Sequence, residues 1–199
     1  MQKGRFASAM EVSVITVDLL ADATDEVLAA LVTEDFDAFA ELYGRYLCPV
    51  YRFVRSQTPD DSTAEDITAH VFFKAISSAG TFRADGTYKS WIFRIAHNEI
   101  YSWRSGNARS VVALEELPES VDPTPSPVAQ AITQEDRGMV WRKVAELPPA
   151  QREVVALRYL QDLDVEEISG ITGRSRGAVR ILLHRARLKL RNSMEGDVG

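Results

Sequence analysis

The sequence contains one cysteine, Cys48, and only three histidines, and both shortages limit the chemistry open to it. A single cysteine excludes an internal disulfide and favours a reducing compartment. The histidines at positions 70, 97 and 184 are scattered and lack the spacing of metal ligands. A glycine-rich phosphate loop is also absent. The sequence therefore predicts no metal, no cofactor and no enzymatic activity.

Long hydrophobic runs are missing as well. No apolar stretch approaches the length of a membrane span, which argues against membrane insertion. Residues 1–5 are basic, but the more apolar stretch at residues 10–20 contains Glu11 and Asp18, which argues against a signal peptide. We therefore expect a cytoplasmic protein.

Charge is unevenly distributed along the chain. The net charge of −6 argues against a general polyanion binder. Residues 1–42 hold nine acidic side chains and two basic ones, whereas residues 174–191 hold seven Lys or Arg and no acid. This asymmetry indicates separate partners for the two ends of the chain.

Apolar residues recur at helical spacing throughout, so the predicted fold is all-α, with two small helical domains. Residues 1–24 are expected to be a flexible extension, and residues 25–109 a first helical domain. Within it, helices are predicted from Asp25, from Asp35, from Ser62 or Thr63 to Gly80, and from Ser90. Pro49 predicts a kink or break in the second helix.

A linker is predicted at residues 110–133. Prolines and acidic residues are concentrated there, and Lys and Arg are absent from residues 113–136. Such a composition buries too little apolar surface to fold alone. The second domain is predicted at residues 134–194.

Residues 165–191 have the pattern of a helix-turn-helix. Gly173 allows the positive φ of a sharp turn, and Ser175 is a good N-cap for the following helix. That helix carries an apolar stripe, consisting of Val179, Leu182, Leu183, Ala186 and Leu190. Beside it runs a basic stripe, consisting of Arg176, Arg180, His184, Arg187 and Arg191.

One stripe is suited to packing on its own domain and the other to the major groove of duplex DNA. The alternative is an ordinary solvated basic face. The turn glycine, the cap and the acid-free run favour DNA binding. Ile181 is predicted either to face the groove, where it suits a thymine methyl, or to pack within the protein. The predicted duplex contacts are Arg174, Ser175, Arg176, Arg180, Ile181, His184 and Arg187.

A second nucleic-acid surface is predicted at residues 82–89 and on the helix that follows. Basic, amide and aromatic side chains together suit a single strand, because rings stack on bases and cations hold phosphates. Trp91 and Trp103 are equally compatible with core positions. The predicted single-strand contacts are Asp85, Gly86, Thr87, Tyr88, Lys89, Trp91, Arg94 and Asn98.

The two domains together resemble the extracytoplasmic-function (ECF) sigma factors, promoter-specificity subunits of bacterial RNA polymerase. In the second domain the matching residues are Leu147-Pro148, Gln151-Arg152-Glu153-Val154, Leu157-Arg158-Tyr159, Glu166-Glu167-Ile168, Gly173, Val179 and Leu183-His184-Arg185-Ala186-Arg187. In the first they are Ala38-Phe39-Ala40-Glu41-Leu42-Tyr43, Ala64-Glu65-Asp66-Ile67, Val71-Phe72 and Ser90-Trp91-Ile92-Phe93-Arg94-Ile95-Ala96-His97-Asn98.

The resemblance implies a mechanism and partners. The first domain would bind the β′ clamp of core polymerase and capture the minus-ten element of the promoter as a single strand. The second would read the minus-thirty-five element as a duplex, near the β flap. An anti-sigma factor would hold the protein inactive. The implied polymerase contacts are Asp66, Ile67, His70, Phe73 and Lys74.

The chain departs from the family pattern at three places. Ala69-His70 stands where Gln-Glu is usual, Ser102 where Asp is common, and Ile181-Leu182 where Ser-Arg is usual. The first affects the expected clamp contact, and the last prevents inference of the promoter sequence from relatives.

The sequence is also compatible with two other functions. A helix-turn-helix regulator that is no polymerase subunit would bind DNA tightly alone. If the chain were a pure protein-interaction module, the basic stripe would not bind DNA.

Overall fold

The computed structural model describes residues 20–83, 86–111 and 139–195. Those ranges contain α-helices and a single 3-10 turn, with no β-strand, so the all-α prediction is confirmed. The predicted N-terminal extension (apart from its last residues), and almost all of the predicted linker, lie outside the described residues. The helices are α1 Asp25–Leu31, α2 Phe36–Arg55, α3 Asp61–Ser77, α4 Tyr88–Val111, α5 Met139–Ala145, α6 Pro149–Tyr159, α7 Val165–Thr172 and α8 Arg176–Glu195.

The first three helices begin where short polar side chains cap them. Thr24 Oγ1 accepts from the backbone N–H of Val27 at 3.4 Å, and Asp35 Oδ1 accepts from that of Asp37 at 2.9 Å. These caps confirm the predicted starts of α1 and α2. α3 starts at Asp61, earlier than predicted, because Asp60 rather than Ser62 provides the cap. It ends at Ser77, before Gly80.

Pro49 does not end α2. The helix continues through it to Arg55, so the predicted break is wrong. Proline removes one backbone N–H from the ladder, but Tyr46, Val50 and Phe53 anchor the helix in the core on both sides. Tertiary packing therefore outweighs the local penalty.

α4 begins at Tyr88 rather than at Ser90. Thr87 precedes it, and its hydroxyl accepts from the backbone N–H of Ser90 at 3.1 Å, which stabilises a first turn begun earlier. α4 continues to Val111, slightly beyond the predicted start of the linker. The first helix-breaking proline, Pro118, comes only later.

Helices α1–α4 pack mainly on one another, and α5–α8 do the same, while α4 also packs on α7. In the first group, Phe53 meets Phe93 edge to face with ring centroids 5.6 Å apart. Trp91 and Trp103 are half-buried against the core. In the second group, Leu157 and Ile168 are fully buried. The contact between α4 and α7 joins the two groups of helices.

Candidate nucleic-acid interface

The turn between α7 and α8 has the predicted geometry. Gly173 ends α7 with φ +67°, and the Ser175 hydroxyl accepts from the backbone N–H of Ala178 at 3.2 Å. At the other end of α7, Asp164 and Glu167 form a capping box. Local interactions therefore define both ends of α7 and the start of α8.

Gly173→Ala is expected to destabilise the protein by about 1–2 kcal/mol, because a non-glycine residue is strained in the left-handed region. No atom lies within 4 Å of a β-carbon built there, so the effect is conformational rather than steric. The matched control is Gly44→Ala in the middle of α2, where no atom lies within 4 Å either; it should stabilise by about 0.5–1 kcal/mol through helix propensity. Thermal melting followed by circular dichroism measures both. Equal effects of the two variants would contradict the strain explanation.

The two faces of α8 differ as the sequence predicted. Val179, Leu183 and Ala186 are at most 4% exposed and pack into the core. A neighbouring surface of the helix is solvent-exposed and forms what we call the basic row, consisting of Arg176, Arg180, His184, Arg187 and Arg191. Ile181 beside the row is 53% exposed. The helix therefore docks through one face and presents cations on another.

Two of the predicted duplex contacts have acidic partners in this structure. Arg176 pairs with Glu166, and both side chains are exposed. Arg174 Nη1 donates to Glu153 Oε2 at 2.6 Å, and the Arg174 side chain is 31% exposed. Arg174 thus points toward its own domain, whereas Arg180 and His184 face solvent.

The predicted single-strand contacts divide into exposed and buried groups. Gly86, Thr87, Arg94 and Asn98 are exposed, and Lys89 and Trp91 are half-buried. Asp85 lies outside the described residues.

Tyr88 differs from the other predicted strand contacts because it is only 3% exposed. Its ring lies 5.2 Å from that of Tyr46, 5.8 Å from that of Phe82 and 5.4 Å from that of Trp91, between centroids. Burial raises the pKa of the Tyr88 phenol. In this structure Tyr88 packs against Trp91 and is too buried to contact a base.

The predicted polymerase contacts lie along α3. Asp66, His70, Phe73 and Lys74 are exposed, and Phe73 is 69% exposed. Lys74 Nζ pairs with Glu99 of α4. Ile67 is buried and packs in the core. The exposed members form one surface, and Ile67 anchors the helix that carries them.

In the sequence, Glu153 stands out only as part of a family motif. In the structure it forms the most buried ionic contact in the described part of the chain. Its side chain is 4% exposed. His97 Nδ1 of α4 lies 2.7 Å from Glu153 Oε1, and Arg174 binds the other oxygen. Burial raises the pKa of Glu153, but the hydrogen bond and charge of His97 and the charge of Arg174 outweigh it and hold the pKa below its ordinary value of 4.5.

The lowered pKa of Glu153 predicts a pH-dependent contribution to stability. A carboxylate with a lowered folded-state pKa stabilises above its unfolded pKa, and that stabilisation is lost as pH falls through the folded pKa. Glu153→Gln is therefore expected to lower the free energy of unfolding at pH 7 by on the order of 1 kcal/mol. The difference from wild type should shrink below the ordinary pKa of 4.5. Urea unfolding of both proteins at pH 7 and below pH 4.5 tests this. A difference in unfolding free energy between variant and wild type that does not depend on pH would contradict it.

Among the described residues, no helix is long and apolar enough to cross a membrane, and no group of His, Cys, Asp and Glu is arranged to hold a metal ion.

The chain matches two protein-family models. Sigma-70 region 2 matches residues 42–110, which include α3 and α4. Sigma-70, region 4 matches residues 137–190, which include the helix-turn-helix. The first match lies within the first group of helices, without α1 and the start of α2, and the second covers most of the second group.

Curated relatives carry the same family name. The chain is 32% identical over 152 residues to the ECF RNA polymerase sigma factor BldN of Streptomyces coelicolor, covering 75% of this chain and 58% of BldN. It is 30% identical over 182 residues to the ECF RNA polymerase sigma-E factor of Escherichia coli K12, covering 86% of this chain and 95% of that protein.

Solved structures share the fold. The sigma factor RpoE of Bartonella quintana, in complex with the anti-sigma factor NepR, matches with a TM-score of 0.66 and 24% identity, over 79% of this chain and 96% of RpoE. CnrH, in complex with the cytosolic domain of CnrY, matches with a TM-score of 0.63 and 22% identity, over 87% of this chain and 98% of CnrH. With the two region matches and the sigma-E relative, these results confirm the resemblance found in the sequence: the chain belongs to the ECF sigma factors, which are non-enzymatic subunits that direct RNA polymerase to promoters.

Proposed function

We propose that α8 reads the minus-thirty-five element as duplex DNA and that α4, with the loop before it, holds the minus-ten element as a single strand. The observation that carries this proposal is the basic row on α8, which is solvent-exposed and runs beside a buried apolar face. A helix of this kind fits the major groove with one face on its domain and the other on DNA. The division into residues 25–109, 110–133 and 134–194 stays a prediction.

In the duplex site, Arg180, His184 and Arg187 are the central contacts because they are exposed in one row. Arginine side chains bind phosphates or the acceptor edge of guanine. Ile181 suits a thymine methyl, since it is 53% exposed beside the row. Arg174 would exchange Glu153 for DNA, so its contribution to affinity should be smaller.

In the strand site, Lys89 and Arg94 hold phosphates, Asn98 and Thr87 bond bases, and Trp91 offers a stacking surface. Gly86 is exposed and allows close backbone approach, and Asp85 belongs to the same predicted site. Tyr88 positions Trp91 through ring contact rather than touching the strand.

The polymerase surface is the exposed side of α3, which would bind the β′ clamp. Phe73 is a large apolar side chain that is 69% exposed, and such exposure is typical of interaction surfaces. Asp66, His70 and Lys74 surround it with polar groups. The second domain would meet the β flap.

We further propose that an anti-sigma factor regulates this chain in the cytoplasm. The support is that the sigma factor RpoE, which has this fold, was crystallised with the anti-sigma factor NepR, and that CnrH, which also has it, was solved with the cytosolic domain of CnrY. NepR and CnrY are the partners of the solved proteins. Affinity capture from the cells that produce this chain would identify its own partner.

Transcription with core polymerase tests the proposed function. Genomic DNA of the source bacterium is transcribed by core polymerase with and without the full chain, and RNA 5′ ends are sequenced. We expect discrete starts that depend on the chain and share two upstream elements. Tight DNA binding by the chain alone without any dependent transcript would instead favour a conventional helix-turn-helix regulator.

A further inference from the structure

The first helix of the chain packs against the helix that carries the proposed strand site. α1 contacts both α2 and α4, and Leu28 and Ala29 are its buried residues. The sigma-70 region 2 match begins at residue 42, so it includes neither α1 nor the start of α2. In the structure, however, α1 is bonded to the first residue of α4, which is Tyr88.

Glu26 of α1 provides the first turn of α4 with an acceptor from outside that helix. The backbone N–H of Tyr88 donates to Glu26 Oε1 at 3.4 Å, across 62 positions of the sequence. The first N–H groups of a helix have no acceptor within it, and the helix dipole favours a negative charge there. At the same end, the Thr87 hydroxyl accepts from the backbone N–H of Ser90. Glu26 and Thr87 therefore cap α4 together.

Asp25, next to Glu26, holds a ring that packs on Tyr88. The Tyr46 hydroxyl donates to Asp25 Oδ2, and the Tyr46 ring lies 5.2 Å from the Tyr88 ring between centroids. Arg45 Nη1 donates to Asp25 Oδ1 at 2.8 Å, so both oxygens of this carboxylate are bonded. Asp25 thus joins α1 to α2 at the point where Tyr46 meets Tyr88.

α1 also forms one wall of the cluster that supports Trp91. Ala29 and Val32 of α1 line a small cavity together with Phe82, Tyr88 and Trp91. The ring of Trp91 lies 5.6 Å from that of Phe82 and 5.4 Å from that of Tyr88, between centroids. A ring that is already held in its binding orientation loses less conformational entropy when a base stacks on it. The support that α1 gives should therefore raise the affinity of the site for the strand.

We propose that α1 supports the strand site, with Glu26 and Asp25 as positioning residues that fix Trp91 for stacking on a promoter base. Glu26 acts by capping α4, and Asp25 acts by holding Tyr46 against Tyr88. Neither carboxylate touches the strand itself. This inference rests on the proposed strand-binding role of α4.

Two substitutions remove these links and leave the proposed DNA contacts in place. Glu26→Ala removes the acceptor at the start of α4, and Tyr46→Phe removes the hydroxyl bonded to Asp25 but keeps the ring. Glu26→Gln retains an acceptor at the same position. Glu34→Ala is the matched control, because Glu34 is an exposed acidic residue just beyond α1. Thermal melting of each free variant and its assembly with core polymerase are measured first, and assembly should not change.

The binding experiment uses a single-stranded oligonucleotide with the minus-ten sequence of a promoter found by the 5′-end sequencing. We expect Glu26→Ala and Tyr46→Phe each to weaken its binding to the holoenzyme by about three- to tenfold, the effect of one lost hydrogen bond. Glu26→Gln should recover most of the affinity, and Glu34→Ala should not change it. Unchanged affinity in both Glu26→Ala and Tyr46→Phe, or equal losses in Glu34→Ala and Glu26→Ala, would overturn the proposal.

A fluorescent purine analogue, placed in turn at each minus-ten position, separates positioning from a general loss of stability. Its fluorescence changes when it stacks on a ring, so the position that meets Trp91 should give a signal when the oligonucleotide binds. We expect this signal to decrease in Glu26→Ala while the signals at other positions remain. No signal at any position with the wild-type protein overturns the strand site as proposed. A wild-type signal that both Glu26→Ala and Tyr46→Phe retain overturns the positioning role and leaves the proposed function standing.

Discussion

Replacing Lys89, Arg94 and Asn98 together by alanine is expected to abolish opening of duplex promoter DNA while leaving assembly with core polymerase intact. Extruding a base from the duplex costs a few kcal/mol, which stacking and phosphate contacts at the strand site must offset. Arg94 and Asn98 are exposed and Lys89 is half-buried, so the substitutions remove contacts without opening the core. Permanganate footprinting of unpaired thymines measures opening directly.

A template already unpaired across the minus-ten region is the control for this variant. Transcription from it should recover in part, because the cost of unpairing has been removed. Tyr88 is left unchanged because it is 3% exposed, and its loss would test the core rather than the strand site. Opening of duplex promoter at the wild-type rate would show that this surface does not bind the strand.

Arg180→Ala is expected to weaken binding to the minus-thirty-five element by about 1–3 kcal/mol, which is roughly 5- to 150-fold. Arg180 lies within the basic row and is exposed. Polymerase association should not change, since the polymerase surface lies on α3. Holoenzyme binding to duplex promoter, measured at several salt concentrations, also shows whether Arg180 contacts a phosphate, because losing one such contact reduces the salt slope by about 1.

Lys189→Ala is the control for Arg180→Ala. Lys189 is on the same helix, is also positively charged and is also exposed. It lies roughly 180° around the helix from Arg180, away from the row. Its replacement should therefore reduce affinity little. Equal losses in the two variants would indicate that α8 contributes general positive charge instead of a groove-facing surface.

The sequence predicted elements well where local interactions define them. Gly173 and Ser175 specify the helix-turn-helix turn because only short-range geometry is involved. Thr24 and Asp35 likewise specify the starts of α1 and α2. At Pro49 the local preference was misleading, because burial on both sides of the proline keeps α2 continuous.

The strand site was only partly predictable. Its location followed from the mixture of basic, amide and aromatic residues, but the mixture does not show which rings face solvent. Tyr88 packs among the rings of Tyr46, Phe82 and Trp91. The contact with Tyr46 on α2 depends on the tertiary arrangement.

By itself, the sequence determined the all-α fold, the helix-turn-helix and the membership of the sigma family, because helical periodicity, caps and motif residues act over a few positions. Only the tertiary structure decided that Arg174 binds Glu153, that Tyr88 is buried and that α7 lies on α4. The contact between His97 and Glu153 joins residues 56 positions apart. Pairing at that distance depends on how whole helices pack, and no local pattern in the sequence encodes it.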